Sequence, residues 1–250
     1  MPHQRKKAKV IVIMPAYNAE KTLVKTYADI PKDVADEIIL VDDGSRDKTV
    51  AIAKKLGIKT LTHPQNRGYG ANQKTCYTLA LNEGAKIVVM IHPDYQYDST
   101  LTSEIIRPIQ DNRFDIMLGS RIRTRQEALK GGMPLYKYVA NRFLTSVQNI
   151  ILGQNLSEYH TGFRAYNSKV LVKLPFHRFS DDFVFDQEFL ISSIRAGFRI
   201  GEIPVPTRYF PEASQISFSR SVKYGLQTLF TLLKYIAAST SMHRAKIFPA

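Results

Sequence analysis

Cysteine is almost absent from this 250-residue chain. Cys76 stands alone, which excludes an intrachain disulfide and a four-cysteine zinc cage and fits a reducing, cytoplasmic compartment. Long hydrophobic runs are missing as well. The stretch from Leu226 to Ala238 is broken by Gln227, Thr228, Thr231 and Lys234, and falls short of the roughly 18 clean residues of a spanning helix. The basic start MPHQRKKAKV leads only into the short run VIVIM, which ends at Pro15 with no small-residue cleavage pattern. It reads as a first buried strand rather than a signal peptide. Acidic residues are scarce beside basic ones, 22 against 35, for a formal charge of +13. Such an excess favours nucleic acid, anionic lipid or phosphorylated substrates. No segment reads as a groove-entering helix with clustered base-reading side chains, so nucleic acid is not an expected partner, and substrate and membrane phosphates explain the charge better.

The apolar content of 44% is that of a globular protein with a substantial core. Short β-branched runs at 10–14, 37–41, 58–61, 87–91 and 114–118 alternate with helix-like segments at 19–30, 46–56, 69–83 and 99–110. Continuously apolar strands between helices predict an α/β fold, with a doubly wound, Rossmann-like, mostly parallel sheet buried on both faces. Ligands of such sheets gather beyond the carboxyl ends of the strands. There the sequence places Pro15-Ala16-Tyr17-Asn18, Asp42-Asp43-Gly44-Ser45, His92-Pro93-Asp94-Tyr95-Gln96 and Gly119-Ser120-Arg121. The second half is less regular. A basic loop at 121–134 is followed by an amphipathic helix at 135–152, a strand with a turn at 159–166, a helix at 182–196, an extended stretch at 198–209 and a last helix at about 218–239.

Several of these clusters could carry chemistry. Asp42 and Asp43 can accept hydrogen bonds from a ribose, a base N–H or metal-bound water, or can simply make a turn. His92, Asp94 and Gln96 alternate along a segment read as extended, which places the three side chains on one face, and Asp94 is the expected ligand of a hard divalent cation. The glycines of Asn66-Arg67-Gly68-Tyr69-Gly70 stand at a helix entry, where a backbone can approach a phosphate. Asp186 and Glu188 lie among Phe183, Val184, Phe185 and Phe189, where a carboxylate can serve as a general base.

Together these motifs resemble family 2 glycosyltransferases of GT-A fold, and most closely the dolichyl-phosphate or polyprenyl-phosphate hexose synthases. The resemblance covers about 8–220. It rests on PAYNAE, ILVDDGSRDKT, NRGYGAN, HPDYQYD, the GSR at 119–121, HTGFRAYN, and FDQEFL followed by RAGFRIGEIPV, in that order. It implies a catalytic domain over 10–216, with a nucleotide-binding half at 10–120 and an acceptor half at 121–216, a basic tail at 1–9 and an amphipathic basic segment at 217–250.

The implied activity is inverting transfer of a hexose from GDP-mannose or a UDP-hexose to a lipid phosphate. A hydroxyl acceptor with Asp186 or Glu188 as base, or a silent nucleotide-sugar binder, are the alternatives. Pro15, Ala16, Tyr17, Glu20, Asp42, Asp43 and Gly68 are implied nucleotide contacts. His92, Asp94 and Gln96 are implied metal ligands for manganese or magnesium, with His92 at a position that is acidic in the family. Arg121, Arg142 and Ser146 are implied to meet the acceptor phosphate, and Arg208 the diphosphate. The implied partners are a nucleotide diphosphate sugar, a lipid phosphate, an anionic membrane surface on which the protein is peripheral, and a membrane-protein partner.

Overall fold

The computed structural model describes residues 8–122, 126, 129, 132–208 and 217–239. Most of the basic tail, Arg123, Arg125, Lys130 and Gly131 of the basic loop, residues 209–216 and the last eleven positions lie outside the described residues. One seven-stranded sheet organises the rest. Its strands are β1 (Val10–Ala16), β2 (Glu37–Asp42), β3 (Lys59–Thr62), β4 (Ile87–Met90), β5 (Ile116–Ser120), β6 (Arg164–Asn167) and β7 (Ile200–Pro204), in the spatial order β3-β2-β1-β4-β6-β5-β7. All pairings are parallel except those of β6, which runs antiparallel to both β4 and β5.

Alternation along the strands explains the two layers. Ile11, Ile13, Ile39, Val41, Val88 and Met90 point to one face, where they meet Cys76, Tyr77 and Ala80 of α3 (Tyr69–Asn82). On the same face lie Val170 and Leu171 of α6 (Ser168–Lys173) and Phe185, Phe189 and Ile191 of α7 (Phe185–Arg195). Val10, Val12, Met14, Leu40, Ile87 and Val89 point to the other face. They pack on Leu23 of α1 (Leu23–Ala28), Ala53 of α2 (Thr49–Lys55) and Ile105, Ile106 and Ile109 of α4 (Thr102–Gln110). Apolar residues at consecutive positions are what a strand covered on both sides requires.

The second half adds α5 (Leu135–Leu152), which ends at Gly153 in the left-handed region, and α8 (Phe218–Ser239). Their packing is inverted for a globular surface. The buried positions of α8 are Thr228, Thr231, Leu232 and Ala238, whereas Phe218, Val222, Leu226, Phe230 and Leu233 are exposed. Helix α5 buries Asn141, Leu144, Thr145, Gln148 and Leu152 and exposes Leu135, Val139, Phe143 and Ile150. Among the described residues no helix is long and apolar enough to cross a membrane.

Two expected elements differ. The expected helix at 19–30 begins only at Leu23, because backbone N–H groups of 18–20 are held by side chains of the 45–49 loop instead of by a helical turn. The strand read over 159–166 contracts to Arg164–Asn167, and Asn167 caps an unexpected helix, α6, by accepting from the Lys169 N–H at 3.0 Å.

Candidate active site at the carboxyl edge of the sheet

The loops after β1 and β2 form one cradle. The Asn18 N–H donates to Ser45 Oγ at 2.8 Å, the Ala19 N–H to Thr49 Oγ1 at 2.7 Å and the Glu20 N–H to Asp47 Oδ2 at 3.0 Å. The Glu20 carboxylate accepts the Lys48 N–H at 2.9 Å, so this residue, expected to meet a nucleotide, ties the two loops together. Pro15 and Ala16 are buried at the end of β1, and Tyr17 presents its ring to solvent at 52% exposure. Asp42 ends β2, fully buried. Its Oδ2 accepts the Ser45 N–H at 3.0 Å, while Oδ1 has no partner among the described residues. An unmet buried acceptor costs about 1–3 kcal/mol, so Asp42 keeps one carboxylate oxygen able to accept a further donor.

Asp43 and Gly68 are spent within the protein. Asp43 accepts from His63 Nδ1 at 2.7 Å, the Arg67 N–H at 2.9 Å and the Gly68 N–H at 3.0 Å. Gly68 has φ of 103°, and a Cβ there would stand 2.6 Å from the Asp181 carbonyl oxygen. The glycine pair at the α3 entry is therefore explained by close approach of the 180–181 backbone, which also accepts the Gly70 N–H at 2.8 Å. The expected approach of a phosphate is not needed to account for it.

The segment after β4 is a turn, not the extended run read from the sequence, since Tyr95 has φ of 59°. His92 consequently leaves the face it was expected to share with Asp94 and Gln96. Its Nε2 lies 3.1 Å from the Tyr69 hydroxyl and its ring stacks on Tyr69, with centroids 5.4 Å apart. Burial pushes the imidazole down to about 4, so it is neutral at pH 7. In the ligand-free protein His92 thus packs on Tyr69. Asp94 accepts the Gln96 N–H at 3.1 Å, and burial pushes its carboxyl up to about 7. Such a desolvated carboxylate lacks sufficient counter-charge, and the Asp94 carboxylate with the Gln96 amide offers the oxygen donors that a hard cation accepts. Among the described residues no group of three or more His, Cys, Asp or Glu side chains is placed to hold a metal ion by itself. Arg208 closes this turn. Its N–H donates to the Gln96 carbonyl at 2.9 Å and its guanidinium lies 4.5 Å over the Tyr95 ring.

Arg121 follows β5 and is ion-paired with Glu158, a fully buried carboxylate. Arg121 Nε donates to Glu158 Oε1 at 2.9 Å, its N–H to Oε2 at 2.8 Å, and Nη2 to the His160 carbonyl at 2.6 Å. Asn141 of α5 adds a bond to Glu158 at 2.8 Å. Arg142 and Ser146 share a face of α5, as their spacing requires, but are not arranged as a free pair. Arg142 Nη1 donates to the Ser157 carbonyl at 2.7 Å, and the Ser146 hydroxyl back-bonds to the Arg142 carbonyl at 2.9 Å.

The two candidate bases are also engaged. Asp186 accepts from the Tyr69 hydroxyl at 2.9 Å and from Gln73 Nε2 at 3.1 Å, and faces Arg164 Nη2 at 3.3 Å. Arg164 is fully buried. Burial opposes its charge and Asp186 more than offsets that, so the guanidinium stays protonated. Glu188 accepts the Ser180 N–H at 2.6 Å. Burial raises its pKa, and its charged neighbours are Lys234 and Lys74 rather than the Asp94 turn.

This geometry has relatives. The glycosyl transferase family 2 profile matches residues 11–174, two-thirds of the chain. The chain belongs to glycosyl transferase family 2. A dolichyl-phosphate hexose transferase of Haloferax volcanii is 27% identical over 199 residues, covering 79% of this chain and 82% of the relative. A UDP-N-acetylglucosamine–dolichyl-phosphate N-acetylglucosaminyltransferase of Methanococcus voltae is 28% identical over 243 residues, with 90% and 94% covered. Among solved structures, glucosyl-3-phosphoglycerate synthase of Mycobacterium tuberculosis in complex with Mn2+, uridine diphosphate and glucosyl-3-phosphoglycerate superposes with a TM-score of 0.71 at 20% identity. It covers 92% of this chain and 80% of that one. The fold is accordingly GT-A.

For a family 2 glycosyltransferase, the residues that the sequence reading passed over are Glu158, Arg164, Tyr69 and Tyr224. Glu158 and Arg164 carried a signal. Each is a lone charge in a short stretch of small and aromatic residues. Their pairing spans 37 and 22 positions, beyond the reach of local pattern.

Proposed function

We propose that this glycosyltransferase moves a hexose, with inversion, from a nucleoside diphosphate sugar to a polyprenyl- or dolichyl-type phosphate. The observation that carries the acceptor class is the engagement of Asp186 by buried Arg164, with Glu188 turned toward Ser180 and the lysines. A hydroxyl acceptor needs a free general base, whereas a phosphate arrives already ionised. The names of the archaeal relatives agree with a dolichyl phosphate acceptor.

In this reading Asp42 Oδ1 receives a donor of the nucleoside, and Tyr17 flanks it. Asp94 and Gln96 would hold Mn2+ or Mg2+, which when bound offsets charge on the diphosphate leaving group. Arg208, fixed on the same turn by Tyr95 and the Gln96 carbonyl, faces that diphosphate. Arg121, held in place by Glu158, meets the acceptor phosphate and orients the attacking oxygen toward the anomeric carbon. The test is transfer from UDP- and GDP-sugars to a short-chain polyprenyl phosphate against the corresponding alcohol. The phosphate should be preferred by at least about a hundredfold, given the strength of charge-assisted contacts. Equal use of the alcohol overturns the acceptor assignment.

A peripheral place on an anionic membrane surface belongs to the same proposal. The exposed Phe218, Val222, Leu226, Phe230 and Leu233 of α8 and Leu135, Val139 and Phe143 of α5 form apolar faces on neighbouring helices, joined where Tyr136 meets Phe218 with ring centroids 5.5 Å apart. Lys223, Lys234 and Arg220 accompany them on α8 in a chain of charge +13. Apolar area beside basic residues suits an anionic interface. Flotation should recover the protein with vesicles containing phosphatidylglycerol and not with phosphatidylcholine alone at low salt, and Leu226→Glu with Phe230→Glu should abolish recovery. Recovery indifferent to lipid charge and to these substitutions would count against a membrane face.

A further inference from the structure

The loop between α5 and β6 carries a histidine that the reading above leaves unused. His160 lies beside the acceptor arginine, because its carbonyl accepts from Arg121 Nη2 at 2.6 Å. Its ring is oriented from a different part of the chain. Gln148 Nε2 donates to Gln187 Oε1 at 2.6 Å, which fixes the Gln187 amide so that its nitrogen faces the Tyr224 hydroxyl at 2.5 Å and the Tyr159 carbonyl at 3.3 Å. The same Gln187 nitrogen stands 3.2 Å from His160 Nδ1, and since the Tyr224 oxygen accepts from Gln187, the tyrosine proton is also directed to His160 Nδ1, 2.9 Å away. Nδ1 is thereby the acceptor nitrogen, and burial keeps the imidazole neutral by pushing it down to about 4. The remaining proton resides on Nε2. That nitrogen is buried and has no hydrogen-bond partner among the described residues. An N–H held in one tautomer by a three-residue relay, yet given no acceptor, is a donor prepared for a group that comes from outside the chain.

We propose that His160 Nε2–H is a further acceptor-binding group, donating to an oxygen of the acceptor phosphate next to Arg121, and that Tyr224 of α8 is the positioning residue that holds it in this tautomer. A phosphate oxygen suits the site because Arg121 supplies the charge and a neutral imidazole adds a directional bond without a second desolvated cation. The relay also makes α8 part of the acceptor site, since Lys223 next to Tyr224 bonds Asp182 Oδ2 at 2.6 Å and fixes the same end of the helix.

The inference rests on the phosphate-acceptor reading, and its test is separable from that of the reading. Initial rates are measured for the full chain with the donor sugar and a short-chain polyprenyl phosphate, giving separate KM values for donor and acceptor. His160→Ala and Tyr224→Phe are each expected to raise the acceptor KM about tenfold while the donor KM and Tm stay at wild-type values, the loss of one hydrogen bond to a charged group being of that size. His160→Gln, which restores an N–H near the Nε2 position, should recover most of the acceptor affinity even in the Tyr224→Phe background. An unchanged acceptor KM in His160→Ala, an equal rise in donor KM, or no rescue by glutamine overturns the proposal and leaves the histidine as packing. Failure of the phosphate reading shows elsewhere, as equal use of the alcohol by the wild-type chain.

Discussion

Asp94→Ala is expected to lower transfer by about a thousandfold or more and to leave Tm unchanged or slightly higher, on the scale that loss of electrostatic stabilisation at a leaving group carries. The argument has two parts. Asp94 lies in the turn after β4, at the carboxyl edge of the sheet and two residues before the Gln96 carbonyl that the Arg208 N–H engages. Its carboxyl is pushed up to about 7 by burial, which the nearby Arg121 charge offsets only in part, so in the ligand-free protein its removal relieves a desolvation cost more than it takes away a stabilising contact. A loss of activity with intact folding separates a ligand-holding carboxylate from a structural one. Kinetics with saturating manganese and a thermal melt on the same preparation make the comparison. Metal-stimulated transfer at more than a tenth of the wild-type rate would sink the assignment of Asp94, and a large fall in Tm would assign the residue to the fold.

The contrast between Asp94 and its neighbours shows what a sequence can and cannot convey here. Strands β1, β2, β4 and β5 were legible because residues apolar at every position, such as Val10 to Met14, have no place except between two covering layers. Helices α5 and α8 were legible from period and length, and their observed bounds are those expected. The direction of β6 was not. Four residues, Arg164–Asn167, carry no local mark of whether a strand runs with its neighbours or against them, and the reversal is set by the connection through the Glu158 loop. The site divided in the same way. Residues whose position follows from a strand end, Asp42 and Asp94, could be placed at the sheet edge from sequence. The roles of His92, Asp43 and Gly68 depended on a positive φ at Tyr95, on His63 twenty positions away and on the Asp181 backbone. Those are tertiary facts, and the local motif reads the same with or without them.

Asp186→Asn is the substitution with the largest expected effect on stability, and it decides between two readings of the same carboxylate. Arg164 is fully buried, and its side-chain donors reach the Thr161 carbonyl at 2.6 Å, the Tyr159 carbonyl at 3.2 Å and Asp186. Removing the one acidic partner leaves a buried cation with only neutral acceptors, which costs about 3–5 kcal/mol and should lower Tm by about 10 °C. The companion measurement replaces both members, Arg164→Met with Asp186→Leu, which removes the charge together with its partner. This double variant should melt well above Asp186→Asn, because exchanging a buried ion pair for packed apolar side chains is close to neutral whereas breaking it is not. A general base behaves otherwise: Asp186→Asn would then fold normally, melt near wild type and lose transfer to a hydroxyl acceptor. The Tyr69 hydroxyl, which donates to Asp186 and touches His92, gives the ion pair a route to the Asp94 turn. Some loss of activity is therefore expected even when Asp186 takes no proton. It should appear as weaker binding of donor and acceptor alike at temperatures below the melt, whereas loss of a base would lower kcat alone and leave both KM values unchanged.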